Sequence, residues 1–409
     1  MSMKLNNISG SSSRFCVGCG VCLTVCPQDA LCYRLNDEGF YEAFVLEEKC
    51  VHCGLCRRVC YKFSEDNEDT VKLEDGILWA AQSVQEEVKQ SCTSGGVAYE
   101  IARYCLVNGY KVAGVVYDNE THCAKTVLTD SMERLEQMKG SKYLQADMQE
   151  VLRELMKDCA LHPEQKYVYF GTPCQINGLK RLLSIRRIRN EVLTVDLFCH
   201  GVPSYKVWDE YRKYFPALHS VVFRSKKKGW HNFTLALETD FGKYYRVAER
   251  DLFYQAFFDN ILLNKPCFDC KLRSRYVSAD IRLGDFWGKK YQTYEDGVSA
   301  CLILSDKGEH LFHQLVNEGR IKPIAREPIE ECMVFQSHSD YSYWPVREYA
   351  FNCLKDGISL KQTIRKYRKM LPYSHRLKSR IKRWLSFVPV ELFRQMKIWY
   401  RRGIKKDDL

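Results

Sequence analysis

A chain of 409 residues with 45% hydrophobic and 28% charged residues has apolar material for two or three folded domains, which excludes a disordered or low-complexity protein. Its formal charge of +11 is uneven: residues 361–409 hold 16 Lys and Arg against Glu391, Asp407 and Asp408, a balance of +13 that leaves −2 for the rest. No apolar run approaches the ~20 residues of a membrane span, and the polar start from Met1 to Ser13 lacks a signal-peptide core. With twenty cysteines, this points to a reducing, cytoplasmic setting.

Eight cysteines account for themselves between Cys16 and Cys60. One spacing occurs twice: Cys16-x-x-Cys19-x-x-Cys22-x-x-x-Cys26-Pro27, then Cys50-x-x-Cys53-x-x-Cys56-x-x-x-Cys60. Three thiolates at this interval wrap one iron–sulfur cube, and the fourth reaches the other cube. The expected ligand sets are therefore Cys16, Cys19, Cys22 and Cys60 for one [4Fe–4S] cluster, and Cys50, Cys53, Cys56 and Cys26 for the second. Zinc knuckles use two Cys pairs and do not duplicate with this exchange. Tyr61 follows Cys60 where the pattern prefers the proline found after Cys26. The stretch resembles a bacterial-type two-cluster ferredoxin, an α+β module expected over residues 1–65.

Residues 61–75 are acidic and polar and read as a linker. Beyond it the pattern alternates. Strands are predicted at Ile77 to Val84, Lys111 to Tyr117, Tyr167 to Phe170 and Val192 to Phe198. Helices are predicted at Gly95 to Val107, Leu144 to Cys159, Ile176 to Ile185 and Tyr205 to Phe215. Such alternation predicts βαβ units and an α/β domain with a mainly parallel sheet. Val221 to Arg224, Phe233 to Glu238 and Tyr244 to Val247 read as an antiparallel insertion. A helix at Asp251 to Leu263, strands at Asp280 to Phe286 and Val298 to Leu304, and a helix at Gly308 to Val316 complete the domain.

Ligands of open α/β sheets bind beyond the carboxyl ends of strands. Gly171-Thr172-Pro173-Cys174-Gln175 follows one strand, with Thr172 as N-cap and Pro173 at the first helical position. Cys199-His200-Gly201-Val202-Pro203 follows the next, and Cys267-x-x-Cys270 precedes the Asp280 strand. Two readings compete. Cys174, Cys199, Cys267 and Cys270 hold a third cluster, or Cys174 and Cys199 are buried apolar residues beside a lone Cys pair. His200 is a candidate proton donor, against a histidine that only caps a strand end. Ser94-Gly95-Gly96 and Gly140-Ser141-Lys142-Tyr143 offer small polar turns suited to phosphate or to plain capping. Leu283-Gly284-Asp285-Phe286-Trp287-Gly288 offers an acid and two rings, for stacking or for core.

Taken jointly, these segments resemble the coenzyme F420 hydrogenase/dehydrogenase beta-subunit family over residues 77–350. The resemblance implies FAD beside an iron–sulfur cluster. The flavin site would lie near Ser94, Gly95, Gly96, Ser141 and Lys142 and the strand-end loops with Gly171, Thr172, Gly284 and Asp285. It also strengthens the third-cluster reading. Members reduce a deazaflavin or tetrapyrroles, and bacterial relatives with a fused ferredoxin are associated with surface-polysaccharide loci.

The expected function is thus a flavin- and iron–sulfur-dependent oxidoreductase, passing electrons from a ferredoxin-type partner to a small acceptor. The alternatives are an electron-carrier subunit of a larger redox complex and an F420 reductase. The tail at 361–409 interleaves its cations with Trp384, Phe387, Phe393 and Trp399 and is split by Pro389. This reads as basic helices for an anionic membrane surface, placing the protein peripherally at the inner face, or for docking on a protein; nucleic acid is not expected.

Overall fold

The computed structural model describes residues 6–9, 15–63, 70–336, 345–374 and 376–377. An eight-stranded sheet runs in the order Ile321–Glu327, Ile77–Ser83, Ser299–Ile303, Ile281–Asp285, Val192–Leu197, Tyr167–Phe170, Lys111–Asp118, Cys123–Thr129. The four strands from Ile281–Asp285 to Lys111–Asp118 are parallel, as the βαβ alternation predicts, and antiparallel strands extend the sheet on both sides. Both edge strands, Ile321–Glu327 and Cys123–Thr129, are additions to the predicted set.

Side chains alternate across this sheet with a period of two, and that period assigns its two faces. Val168, Leu193, Val195, Ile281 and Leu283 meet the helices Val97–Val107 and Asp306–Asn317 on one side. Tyr167, Tyr169 and Val192 point to the other side, where they share one core with Leu152, Leu155, Ile176 and Leu179. Val21, Leu23, Val25 and Val59 belong to that same core. The cysteine-rich module is therefore packed onto the sheet. Residues 64–69 of the expected linker lie outside the described residues; just after them, Val71–Lys72 pairs antiparallel with Tyr276–Val277.

A second body forms around the antiparallel sheet Leu218–Ser225, Thr234–Thr239 and Gly242–Val247. Helices Tyr205–Arg212, Leu252–Phe258, Val346–Lys355 and Leu360–Met370 bury Trp208, Phe253, Phe351 and Tyr367 against it. The first stretch of the expected basic tail is thus part of the folded body. Leu360, Ile364 and Tyr367 are buried, and Asp259 accepts from Tyr367 Oη at 2.8 Å and from Arg368 Nε at 2.6 Å. Trp384, Phe387, Pro389, Phe393 and Trp399 lie outside the described residues. Among the described residues, no helix is long and apolar enough to cross a membrane.

Polar contacts fasten the cysteine module in place. Gln145 accepts from the Tyr41 N–H at 2.6 Å and donates to Val17 O at 3.0 Å, while Arg347 grips Glu38 through two bonds of 2.8 and 2.6 Å. Gly18 (φ +68°) leans on this clamp: a Cβ there would lie 2.0 Å from Gln145 Nε2 and 2.5 Å from Tyr41 O. Gly18→Ala is therefore expected to lose about 1–3 kcal/mol to overpacking, besides its left-handed backbone strain. Gly109→Ala, at φ +79° with open space around it, isolates the strain alone. Anaerobic melting of both variants separates the two effects: Gly18→Ala should melt clearly lower, and equal melting points would refute the clamp.

Candidate functional site

The duplicated spacing folds into two short helices, Val21–Val25 and Leu55–Val59. Beside them a small pocket is lined by Cys26, Cys50, Cys53 and Cys56, with Leu31 and Val45 among its apolar walls. Its four thiols come from both halves of the repeat, so the fold brings together the set that the spacing exchanges. The Ala30 N–H lies 3.4 Å from Cys26 Sγ and Asn7 Nδ2 lies 3.5 Å from Cys50 Sγ.

Cys16, Cys19, Cys22 and Cys60 form the second gathering. Burial pushes the Cys16 thiol up to about 11 and raises Cys19 and Cys22 further, and the charge of Cys60 adds to the rise in all three. Thiols so buried and crowded keep their protons unless a bound cation compensates them. Among the described residues, the only three such ligand atoms within 4.8 Å of one another belong to Glu47, Cys50 and His52. A tetrahedral zinc would hold its sulfurs about 3.8 Å apart. Among the described residues, no three sulfurs of either quartet lie within 4.8 Å of one another.

A third gathering lies at the carboxyl ends of the parallel strands. Thr172 caps the helix Pro173–Ile185 through a capping box with Gln175, and its Oγ1 lies 3.3 Å from Cys174 Sγ in the first turn. Cys199 follows the strand Val192–Leu197, and Cys267 and Cys270 flank the turn before Lys271–Ser274. Burial raises Cys174, with the charges of Cys270 and Cys199 adding to it. Burial also lifts Cys199 to about 11 and Cys267 to about 12, and each of these feels Cys270. The four thiols thus lie within electrostatic reach of one another. Cys174 also feels Cys19, and a Cβ on Gly178, one helical turn on, would come within 3.3 Å of Cys19 Sγ. The third set adjoins the second.

Buried arginines anchor these loops. Arg282 pairs with Asp196 through two bonds of 2.7 Å and donates to Leu272 O at 3.0 Å and Arg273 O at 3.2 Å. Arg273 in turn donates to Cys267 O and to His200 O. His200 turns its Nε2 to Asn260 Oδ1 at 2.7 Å and rests its ring on Phe257 at 4.8 Å.

The expected flavin residues divide between two places. Ser94 donates to Val298 O at 2.8 Å, Ser141 N donates to Thr93 Oγ1 at 2.9 Å, and Asp285 accepts from Trp230 Nε1 at 2.7 Å. Ser94 Oγ also lies 3.4 Å from Gly284 O. Gly95 packs so tightly that a Cβ would meet Ala81 O at 2.7 Å, and Gly96 opens the helix Val97–Val107. These residues surround one loop. Gly171 and Thr172 sit with the third thiol set instead. Lys142 is committed inward: its Nζ donates to Gln137 O, Met138 O and Lys139 O, and burial pulls its pKa down to about 7.

Comparison with known proteins places these parts. Residues 15–63 match a 4Fe-4S dicluster domain, residues 78–153 the N-terminal part of the coenzyme F420 hydrogenase/dehydrogenase beta subunit, and residues 164–328 its C-terminal part. The chain belongs to the coenzyme F420 hydrogenase/dehydrogenase beta-subunit family. It is 26% identical over 181 residues to the coenzyme F420-dependent sulfite reductase of Methanocaldococcus jannaschii, covering 44% of this chain and 26% of that one. It is also 26% identical over 219 residues to an uncharacterised protein of the same archaeon, covering 46% of this chain and 60% of that one. The chain therefore spans less than two thirds of either relative. Among solved structures, a chain of the F420-reducing [NiFe] hydrogenase complex from Methanosarcina barkeri aligns at 20% identity with a TM-score of 0.46, covering 73% of this chain and 93% of that one.

In this beta-subunit fold the loop at Ser94 faces residues that the motifs missed. Lys226 Nζ donates to Ser94 O and Asp296 O, both at 2.6 Å, and burial lowers its pKa to about 8. Arg224 sets its guanidinium 3.6 Å from the Phe233 ring centroid, donates to Trp230 O, and leaves Nη1 enclosed without an acceptor. Trp230 stacks on Trp287 at 4.8 Å and 12°, and Phe233 and Phe258 continue the aromatic wall to His200. The signal was present as the basic run Arg224-Ser225-Lys226-Lys227-Lys228 ahead of Gly229-Trp230.

Proposed function

We propose that the chain is an iron–sulfur flavoprotein oxidoreductase that carries electrons from a one-electron donor to a small acceptor. The observation that supports this best is the order of the three thiol sets. Cys22 feels the charge of Cys56, Cys174 that of Cys19, and Cys199 leads directly into His200 and the aromatic wall. Cys26, Cys50, Cys53 and Cys56 would hold one [4Fe–4S] cluster, Cys16, Cys19, Cys22 and Cys60 a second, and Cys174, Cys199, Cys267 and Cys270 a third. Cys53 is exposed and marks the edge where a ferredoxin-like donor would dock. The enclosed Arg224 Nη1 and the stacked rings suit a planar, anionic cofactor, and FAD between this wall and the Ser94–Gly96 loop fits them. When bound, the clusters supply single-electron transfer and the flavin exchanges one electron for two.

The chain's own contributions are binding and shielding. The core that Val21 and Val59 share with Tyr169 keeps water from the inner thiols, and Asn260 fixes the His200 ring where a proton could be held for the acceptor. Reduction of F420 is the second reading, favoured by the sulfite-reductase relative, and purified F420 as sole acceptor tests it. Anaerobic purification with iron, sulfide and flavin quantified tests the leading one: about twelve irons and one FAD per chain are expected. Eight irons would remove the third cluster, and iron without flavin would leave an electron-carrier subunit.

A further inference from the structure

Tyr61 occupies the position after Cys60 that Pro27 occupies after Cys26. Its ring is partly exposed, with Lys62 Nζ 5.5 Å from the centroid, but its hydroxyl oxygen is sealed from solvent and has no hydrogen-bond partner. A sealed hydroxyl without an acceptor is costly and calls for an explanation. The groups whose charges act on it are, in order, Cys270, Cys174, Cys267 and then Cys60. Tyr61 therefore lies within electrostatic reach of both the inner ferredoxin quartet, through Cys60, and the third thiol set. A phenol carries its proton at neutral pH, so the sealed, unpartnered hydroxyl is available as a donor.

Resting on the third-cluster reading above, we propose that the Tyr61 hydroxyl donates a hydrogen bond to a sulfur of the cluster held by Cys174, Cys199, Cys267 and Cys270. In doing so it makes that cluster easier to reduce. Hydrogen bonds to cluster sulfur stabilise the more negative, reduced state, and this is one of the levers that set cluster potential. The proline of the ferredoxin pattern would leave the sulfur without this donor. Tyr61 is thus a positioning residue that favours electron passage from the quartet containing Cys60 toward the third set.

The test is Tyr61→Phe, which keeps the ring and removes the hydroxyl. Variant and wild type are purified anaerobically as full chains, their iron is counted, and each cluster is titrated potentiometrically by electron paramagnetic resonance. The third-cluster signal is identified as the one absent from Cys270→Ser. Expected are unchanged iron at about twelve per chain and a more negative third cluster, its reduction equilibrium weakened by up to about tenfold, or ~59 mV for one electron. An exchangeable-proton coupling on that cluster should be present in wild type and missing from the variant. Unchanged potentials with twelve irons would overturn the inference, as would a shift confined to the ferredoxin pair or loss of iron from the variant. Eight irons in the wild type would instead overturn the third-cluster reading on which it rests.

Discussion

Cys270→Ser is expected to lower the iron content from about twelve to about eight per chain while leaving the ferredoxin pair intact. Cys270 caps the short helix Lys271–Ser274 and acts electrostatically on Cys174, Cys199, Cys267 and Tyr61. It is the member of the third set that all the others feel. Serine preserves the volume and replaces a thiolate with a poor iron ligand. Transfer from a reduced one-electron donor to bound flavin should fall by at least ~100-fold, since even the outer partners of metal ligands are worth 10–100-fold. The control is Cys301→Ser, because Cys301 is fully buried on the strand Ser299–Ile303, away from the third set and beside the buried thiol Cys332. It should keep all its iron. Loss of iron from the control alone, or from neither variant, would return Cys174, Cys199, Cys267 and Cys270 to the reading of buried apolar thiols.

The parts of this site that were legible in the chain are those whose physics is local. Cysteine spacing states which thiols one turn of backbone can bring together, and the cavity lined by Cys26, Cys50, Cys53 and Cys56 follows it. The strand Tyr167–Phe170 has its predicted bounds because an apolar run meets Gly171 at one end and a polar stretch at the other. Thr172 and Pro173 announced a helix start that the periodicity put at Ile176. What was not legible depends on distant partners. Pro323 and a bulge disguise the edge strand Ile321–Glu327, since proline is tolerated only where a strand need not donate on both sides. Leu360, Ile364 and Tyr367 form a visible apolar stripe, but only Asp259 and the helix Leu252–Phe258 show that it docks on the body. Arg224 and Lys226 belong to a basic run that no motif marked, and the fold turns them beneath the Ser94 loop.

Arg282→Met should destabilise the protein by ~3–5 kcal/mol, the range for removing one partner of a buried ion pair. Arg282 and Asp196 are both fully buried, and their two bonds of 2.7 Å join the strand leading to Cys199 with the strand after the Cys267–Cys270 turn. Two further donors hold Leu272 O and Arg273 O, so the loss reaches the third thiol set directly. Iron from that set should leave first on warming, before the ferredoxin pair. Burial raises the Asp196 carboxyl above its ordinary range and the Arg282 charge opposes the rise. Without Arg282 the rise is larger, so the folded variant binds a proton that the unfolded chain has released. Its stability deficit must then grow as pH increases from about 6 to 8. Replacing both residues, Arg282→Met with Asp196→Leu, removes the uncompensated charge and should recover a large part of the loss, because an apolar pair can substitute for a buried ion pair. The recovery stays incomplete, since the carbonyls of Leu272 and Arg273 still lack donors. Melting curves of the single and double variants at both pH values decide this. A double variant as unstable as the single one, with no pH dependence, would show that Arg282 acts through its carbonyl contacts alone.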